Sequence, residues 1–317
     1  MSGTLGRVAI IGAGAVGAYY GARLAHAGED VRFLMRRDFA AVRARGLAVR
    51  VFANQEPVES FHLASVAAYA TTAEIGPVDL VIVGLKATAD AAMRELLPPL
   101  LHERTAVLTL QNGLGSDELV AREFGAGRVL GGLCFVCLNR VGHDGDVPAI
   151  ECYHAGSVSL GEFNRPAGDR ARTIAAAFQR AGVKCSVADN LAEVRWRKLV
   201  WNVPFNGLSI AAGGVTTDRI LADPALLAEV HALMREVQAA AAALGIAIPD
   251  AFLRKQVDVT GPMGAYKPSS LIDFLEGKAV EVEAIWGEPL RRARAAGVAV
   301  PRLEELYLRL REICVAR

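Results

Sequence analysis

The chain has 317 residues, 52% of them hydrophobic, and its 35 Lys and Arg residues nearly balance its 34 Asp and Glu residues. This length is sufficient for two domains of ordinary size, and this apolar content excludes wholesale disorder. The net charge of +1 gives no general electrostatic reason to expect a nucleic acid or a membrane surface as partner. The N-terminal stretch MSGTLGRVAI lacks the features of a signal peptide, and no apolar run is long enough for a transmembrane helix, so we expect a cytoplasmic protein.

The five cysteines do not suggest a disulfide framework, because their number is odd. Cys134 and Cys137 form a CxxC within the apolar run GGLCFVCLN. No second cysteine or histidine pair has the spacing of a zinc site. We therefore expect these two cysteines to be core residues of a strand, and we expect no metal.

The first half of the sequence predicts a Rossmann-like, doubly wound α/β sheet. Helix-like stretches at 16–27 and 87–101 alternate with short apolar runs that have the composition of strands buried on both faces. These runs are RVAIIG (7–12), VRFLM (31–35), VDLVIVGLK (78–86) and TAVLTLQNG (105–113). Shorter strand-like segments between 128 and 189 are expected to extend or edge this sheet.

After residue 189 the strand signals disappear and helix signals replace them. Asn190 followed by Glu193 fits a capping box at the start of a helix. Asp223 followed by Pro224 predicts the N-cap and first residue of another helix, which Gly245 ends.

Segments 268–296 and 302–314 also have helical character. The sequence therefore predicts an α/β domain over residues 1–188 and an all-α domain over residues 189–317. The helical half carries enough apolar residues to form a homodimer face, although a buried core would give the same composition.

The stretch VAIIGAGAVGAYYG places Gly12, Gly14 and Gly17 in a G-x-G-x-x-G pattern directly after a strand and at the start of a helix. In a dinucleotide site these glycines permit the tight turn, the approach of the pyrophosphate and close helix–strand packing, respectively. The helix N-terminus then offers free N–H groups to the phosphates. The pattern predicts cofactor contacts from the loop residues Gly12, Ala13, Gly14, Ala15, Val16 and Gly17, and the alternative is a glycine-rich turn without a ligand.

The end of the second predicted strand indicates which dinucleotide binds. Arg36 and Arg37 stand where an acidic residue would contact a ribose 2′-hydroxyl. Arg36 lies 24 positions after Gly12 (36 − 12 = 24), and Asp38 follows the arginine pair. A guanidinium at this place suits a 2′-phosphate, so the sequence favours NADPH over NADH. The alternative is a solvated arginine pair.

Three further groups of polar residues predict ligand contacts. Lys86 and Asn112 follow two buried strands, and ligands of open α/β sheets bind outside such strand ends. Lys198, Asn202 and Asn206 recur at four-residue spacing in RWRKLVWNVPFNGLS, which puts them on one face of an otherwise apolar helix. The alternative for Lys86 is a lysine that reaches solvent, and for Asn112 it is an Asn-Gly turn. For the helix face, the alternative is a Lys198 that extends to solvent and asparagines that bond locally.

In combination, these motifs resemble the ketopantoate reductase (2-dehydropantoate 2-reductase) family. The later stretch KPSSLIDFLEGKAVEVEAI (267–285) is similar to the S-x₃-D-x₇-E segment of that family, with Ser269, Asp273 and Glu281 in register. The resemblance extends from Gly12 to Pro301, and the combination of motifs is more specific than the glycine pattern alone.

The resemblance implies an NADPH-dependent reductase that transfers hydride to a 2-oxo acid, most directly from 2-dehydropantoate to pantoate in pantothenate biosynthesis. It implies Lys198 as general acid or oxyanion stabiliser, with Glu281 near it. A positioned ammonium is chemically suitable, because negative charge develops on the carbonyl oxygen. The resemblance further implies Lys86 as a residue of the cofactor–substrate crevice, with Arg36 and Asn112 as further cofactor contacts. It implies substrate or positioning contacts from Asn112, Asn202, Asn206 and Ser269.

Several residues depart from the family pattern in the predicted substrate half. Pro204 is expected to kink its helix or to end the regular part, Gly207 replaces a common proline, and Thr216 lies where an asparagine is usual. These departures support one alternative function, a reductase of another substituted 2-oxo acid. A second alternative, from a different class, is a non-catalytic NADP(H)-binding sensor. The glycine- and proline-rich loop 261–270 is either a mobile flap or a simple connection.

Overall fold

The computed structural model describes residues 4–53, 55–142 and 146–315. The chain divides into two compact units. The first contains Met1–Gln111 and Ser116–Leu191, and the second contains Asn112–Gly115 and Ala192–Arg317. The short segment Asn112–Gly115 thus belongs to the second unit, although the residues on both sides of it belong to the first.

Within the described ranges, the first unit contains one sheet of ten strands. The strands are β1 (Arg7–Ile11), β2 (Asp30–Leu34), β3 (Leu47–Ala53), β4 (Glu56–Leu63), β5 (Ala67–Tyr69), β6 (Leu80–Val83), β7 (Ala106–Thr109), β8 (Val129–Val141), β9 (Ala149–Glu162) and β10 (Cys185–Val187). Their order is β4-β3-β9-β8-β7-β6-β1-β2-β5, and β10 pairs with β9. The central strands β8, β7, β6, β1 and β2 pair in parallel with one another.

The helices of the first unit are α1 (Ala15–His26), α2 (Phe39–Arg45), α3 (Thr72–Ile75), α4 (Met93–Leu96), α5 (Ser116–Phe124) and α6 (Asp169–Arg180). Alternate residues of β1 belong to separate apolar clusters, because successive side chains of a strand point to opposite faces. Val8 and Ile10 pack in the cluster that includes residues of α1 and α6, whereas Ile11 packs in the cluster that includes Val120 of α5. The sheet is therefore covered on both faces, as predicted.

Two details of the first unit differ from the predictions. The predicted helix 87–101 consists of a 3₁₀ segment (Ala87–Ala92), the short α4 and a second 3₁₀ segment (Pro98–Leu100). Pro98 and its neighbour Pro99 lack the N–H groups that would extend α4. Sequence analysis did not anticipate β3 and β4, which form an antiparallel pair, or the three-residue β5.

The second unit is helical, and no strand occurs among its described residues. Its helices are α7 (Leu191–Ala211), α8 (Thr217–Ala222), α9 (Pro224–Ala243), α10 (Asp250–Thr260), α11 (Ser269–Leu275), α12 (Glu288–Ala295) and α13 (Pro301–Val315), and a single π-helical turn spans Glu283–Gly287. The predicted fold class, a Rossmann-like α/β sheet followed by an all-α part, is confirmed. In the described part of the chain, no helix is both long and apolar enough to cross a membrane.

The start of α9 confirms its predicted cap, whereas two other helix predictions need correction. The Asp223 carboxylate accepts hydrogen bonds from the N–H groups of Ala225 and Leu226 at 2.8 and 3.1 Å. The predicted helix 268–296 is interrupted after α11, where Gly277 adopts a left-handed conformation with φ +66°. Of the two effects predicted for Pro204, a kink or the end of the regular helix, the second is wrong, because α7 continues to Ala211.

Candidate active site

The glycine loop between β1 and α1 leaves open space at its middle glycine. Gly12 has φ +82°, and a Cβ atom there would collide with the backbone of Gly84 and Leu85. A Cβ at Gly17 would collide with the carbonyl oxygen of Gly12. A Cβ at the exposed Gly14 would meet no atom within 4 Å. The first and third glycines therefore serve internal packing, and the open space at Gly14 fits the approach of a pyrophosphate.

The carboxyl end of β2 carries a cluster of charged groups. Arg36 and Arg37 are exposed, and Asp38 adopts a left-handed conformation with φ +55°. The Asp38 carboxylate accepts a hydrogen bond from Nε of Arg140 at 3.0 Å, and Nη1 of Arg140 donates to the carbonyl oxygen of Ala13 in the glycine loop. Sequence analysis missed Arg140, because no local motif marks a residue 127 positions after Ala13.

Lys86 is exposed and precedes the 3₁₀ segment that follows β6. Asp90 in this segment accepts hydrogen bonds from Nε2 of Gln111 at 2.6 Å and from Oγ of Ser116 at 2.7 Å. Gln111 and Ser116 flank the segment Asn112–Gly115 in sequence. The Asp90 carboxylate therefore holds the two residues that flank the segment Asn112–Gly115.

Within the second unit, the structure brings together two of the predicted site residues. Nζ of Lys198 donates a hydrogen bond to Oδ1 of Asn112 at 2.6 Å. Lys198 is half-buried, in the first half of α7. The ammonium is thus held by a neutral acceptor, and its charge is not cancelled by this contact.

The segment that carries Asn112 is fixed to the helical unit by its backbone. Nη1 of the buried Arg195, one turn before Lys198 on α7, donates to the carbonyl oxygen of Gly113 at 3.3 Å. The N–H of Leu114 donates to the carbonyl oxygen of Ala284 at 3.0 Å. Sequence analysis missed Arg195, although its spacing of three residues from Lys198 places both side chains on one helix face.

The π-helical turn explains why the Ala284 carbonyl is available to Leu114. The N–H of Glu288, which would bond to Ala284 in an α-helix, bonds to Glu283 instead. A π-type bond to Ala284 would come from residue 289, which is a proline and has no N–H. The carbonyl of Ala284 is therefore left for a partner outside its helix.

The two asparagines of α7 have different surroundings. Oδ1 of Asn206, which is 1% exposed, accepts a hydrogen bond from the backbone N–H of Ser270 at 2.9 Å, so it secures the start of α11. Asn202 is 5% exposed, and no residue in the described ranges is a hydrogen-bond partner of its carboxamide. A buried amide without a protein partner is expected to bond to a ligand or to water.

The other two residues of the predicted site also differ in exposure. Ser269 is exposed at the first position of α11. Glu281 is 4% exposed and lies two residues before the π-helical turn. A carboxylate this deeply buried needs polar partners, which places Glu281 among the functional candidates.

Of the residues that depart from the family pattern, Gly207 has a structural explanation. A Cβ at Gly207 would lie 2.7 Å from Cδ2 of Leu306 and 2.9 Å from Nε1 of Trp286, so glycine permits close packing there. Thr216 is the N-cap residue of α8. The hydroxyl of the buried Thr217 donates to the carbonyl oxygen of Gly264 at 2.9 Å.

This contact ties the loop 261–270 to the start of α8. The backbone N–H of Thr217 donates to the carbonyl oxygen of Tyr266 at 3.0 Å, and that of Asp218 donates to Gly264 at 3.2 Å. These bonds favour an anchored connection over a mobile flap.

Comparison with known proteins identifies the family. A family model described as ketopantoate reductase PanE/ApbA matches residues 8–165, and a model of the C-terminal part of ketopantoate reductase PanE/ApbA matches residues 190–313. This chain belongs to the ketopantoate reductase family. It is accordingly an oxidoreductase of a nucleotide-dependent family.

Individual members of the ketopantoate reductase family agree with this assignment over nearly their full length. A 2-dehydropantoate 2-reductase from Nostoc is 39% identical over 310 residues, covering 96% of this chain and 94% of the relative. The crystal structure of a 2-dehydropantoate 2-reductase from Geobacter metallireducens matches with a TM-score of 0.91 at 44% identity, covering 96% and 99% of the two chains.

A ternary structure of D-mandelate dehydrogenase with NADH and anilino(oxo)acetate shares the fold of this ketopantoate reductase family member. Its TM-score is 0.85 at 22% identity, covering 98% of this chain and 99% of the other.

Proposed function

We propose that this family member reduces 2-dehydropantoate to pantoate with NADPH. The observation that carries the proposal is the contact of 2.6 Å between Nζ of Lys198 and Oδ1 of Asn112, which fixes the position of the lysine ammonium in the helical unit. The names of the relatives from Nostoc and Geobacter metallireducens support the choice of substrate.

We assign cofactor binding to the α/β part, residues 1–188, and substrate binding and catalysis to the helical part, residues 189–317. The loop Gly12–Gly17 would hold the pyrophosphate, because the open space at Gly14 fits it. The exposed Arg36 would contact the 2′-phosphate, and Lys86 would add a second positive charge to the cofactor site. When bound, NADPH supplies a hydride.

The helical unit supplies the polar groups for the reacting ketone. Lys198 would hold a proton at Nζ for the carbonyl oxygen, whose negative charge rises as hydride arrives. Asn112 accepts a hydrogen bond from the ammonium and so directs it. The carboxamide of Asn202 would donate to the substrate, with Ser269 as a further contact, and Glu281 would assist Lys198. We assign Asn206, a predicted substrate contact, to positioning α11 beside Ser269, since its oxygen is bonded to Ser270.

The experiment is a steady-state assay of NADPH oxidation with 2-dehydropantoate, pyruvate and 2-oxoisovalerate as parallel substrates. We expect 2-dehydropantoate to have by far the highest kcat/KM. If another 2-oxo acid is preferred, the substrate is wrong and the reductase class stands. Binding of NADPH without turnover of any of the three would contradict the proposal and favour the sensor hypothesis.

A further inference from the structure

Strand β8 extends far beyond the part of the sheet that it shares with β7. It pairs with β7 only at Val129–Gly131, and it continues to Val141, ten residues further (141 − 131 = 10). At about 3.3 Å per residue, this extension is roughly 30 Å long. Arg140 lies near its end, and the extension thereby delivers a guanidinium from a distant part of the sequence to the glycine loop.

Arg140 joins the loop that would bind the pyrophosphate to the segment that would bind the 2′-phosphate. One of its nitrogens contacts the carbonyl of Ala13, and another contacts the carboxylate of Asp38, directly after Arg36 and Arg37. The Arg140 side chain is 20% exposed and that of Asp38 is 43% exposed. Among the described residues, this is the ion pair at the end of β2, next to Arg36, the predicted contact of the 2′-phosphate.

The charge of Asp38 would be unfavourable if nothing paired with it. A carboxylate at the end of β2 repels a 2′-phosphate and can accept a hydrogen bond from a ribose 2′-hydroxyl, which favours NADH. Asp38 has a left-handed backbone, which is an uncommon conformation for a residue with a side chain. Its carboxylate accepts the hydrogen bond from Arg140 in this conformation. Arg36 and Arg37 then remain as two positive charges close to a neutralised carboxylate.

We propose that Arg140 is a specificity-determining residue for the cofactor: by pairing with Asp38 it sets the preference for NADPH over NADH. Its contact with Ala13 fixes the same guanidinium to the glycine loop, so that the neutralising charge is held at the nucleotide site. This inference rests on the proposed use of NADPH, and it adds a residue and a mechanism for the discrimination.

The experiment measures the binding of NADP⁺ and NAD⁺ to the full chain by isothermal titration calorimetry, without substrate. In Arg140→Ala the Asp38 carboxylate is unpaired, and we expect the Kd for NADP⁺ to rise about tenfold, with a much smaller change for NAD⁺. Adding Asp38→Asn to this variant is expected to restore most of the preference for NADP⁺. Arg140→Lys keeps the positive charge and is expected to keep most of the preference.

Arg50→Ala is the matched control, because Arg50 forms an ion pair with Glu151 in the same sheet at 3.4 Å and lies outside the predicted cofactor site. It is expected to leave both Kd values unchanged. An equal loss of affinity for both nucleotides in Arg140→Ala, without recovery by Asp38→Asn, would overturn the inference and reduce Arg140 to a support of the loop. A wild-type protein that prefers NAD⁺ would overturn the proposed use of NADPH, and this inference with it.

Discussion

Lys198 and Asn112 come from positions 86 residues apart, and the hydrogen bond between them fixes the direction of the lysine ammonium on α7. The carboxamide oxygen of Asn112 carries no charge of its own, so this contact orients the ammonium and does not itself neutralise it. The buried Asn202 one turn further along α7 has an amide that no described residue engages. In the proposed reaction, Lys198 and Asn202 on α7 and the nearby Asn112 would offer hydrogen bonds to the 2-oxo acid.

The first prediction concerns Lys198 as the proton donor. Lys198→Ala removes the group that would stabilise and protonate the developing alkoxide, so we expect kcat to fall by about 100- to 10,000-fold. Calorimetric titration should show unchanged affinity for NADP⁺. The control is Lys255→Ala on α10, which removes an exposed lysine of the same unit and should leave kcat unchanged. A Lys198→Ala enzyme that retains most of its activity would contradict the role.

At the scale of elements, the segment Asn112–Gly115 depends on the π-helical turn for its position. Gly113 has φ +80°, and a Cβ there would collide with the carbonyl oxygen of Ala284. The next residue, Leu114, uses this same carbonyl as its hydrogen-bond acceptor. Turn and segment therefore fit each other at backbone level, which places Asn112 within reach of Lys198.

The second prediction follows from this close approach. Gly113→Ala should displace the segment from Ala284, and we expect a lower kcat together with a loss of stability of about 2–4 kcal/mol in urea unfolding. Gly245→Ala is the matched control, because Gly245 has φ +79° and a Cβ there would meet no atom within 4 Å. This control bears only the cost of the left-handed backbone and should keep full activity. Equal effects of the two substitutions would show that the contact with Ala284 is unimportant.

The third prediction concerns the start of α9. Asp223 accepts two backbone hydrogen bonds there, so Asp223→Ala should lower the free energy of unfolding by about 1 kcal/mol. Asp223→Asn keeps an acceptor at the N-cap and should lose much less. Urea unfolding of both variants makes the comparison, and an Ala variant as stable as the wild type would show that the cap contributes nothing measurable.

Helix α7 shows how packing can override a local signal. Proline inside a helix removes a hydrogen bond and costs about 3 kcal/mol. The residues on both sides of Pro204 are nevertheless fully buried, Val203 and Phe205 each at 0% exposure. Burial of each such side chain contributes about 1.5–3 kcal/mol, which explains why α7 continues past Pro204, where the sequence predicted a kink or an end.

At the scale of the whole molecule, periodic and motif-based features were predictable from the sequence. The glycine loop, the α/β sheet and the caps of α9 each follow from a local pattern of residues. Strand β4 is exposed over most of its length, and its burial does not alternate from one residue to the next as in a half-buried strand. No local signal in the sequence therefore marked it as a strand.

The residues that sequence analysis missed depend on distant parts of the chain. Arg140 reaches Ala13 through the register and length of β8, and Arg195 contacts Gly113 across 82 positions. The closeness of Asn112 to Lys198 likewise arises from the fold, although the resemblance to a family had singled out both residues. Local propensity contains no information about such pairs, because tertiary packing determines them.

Isotope transfer in the complete enzyme decides whether hydride passes from NADPH to 2-dehydropantoate. NADPH carrying deuterium at one of its two C4 positions, each prepared separately, is incubated with 2-dehydropantoate, and the product is analysed by mass spectrometry. We expect one of the two preparations to yield pantoate with a single deuterium at C2, because hydride passes to the carbonyl carbon. Pantoate without deuterium from either preparation, or no pantoate at all, would contradict the claim.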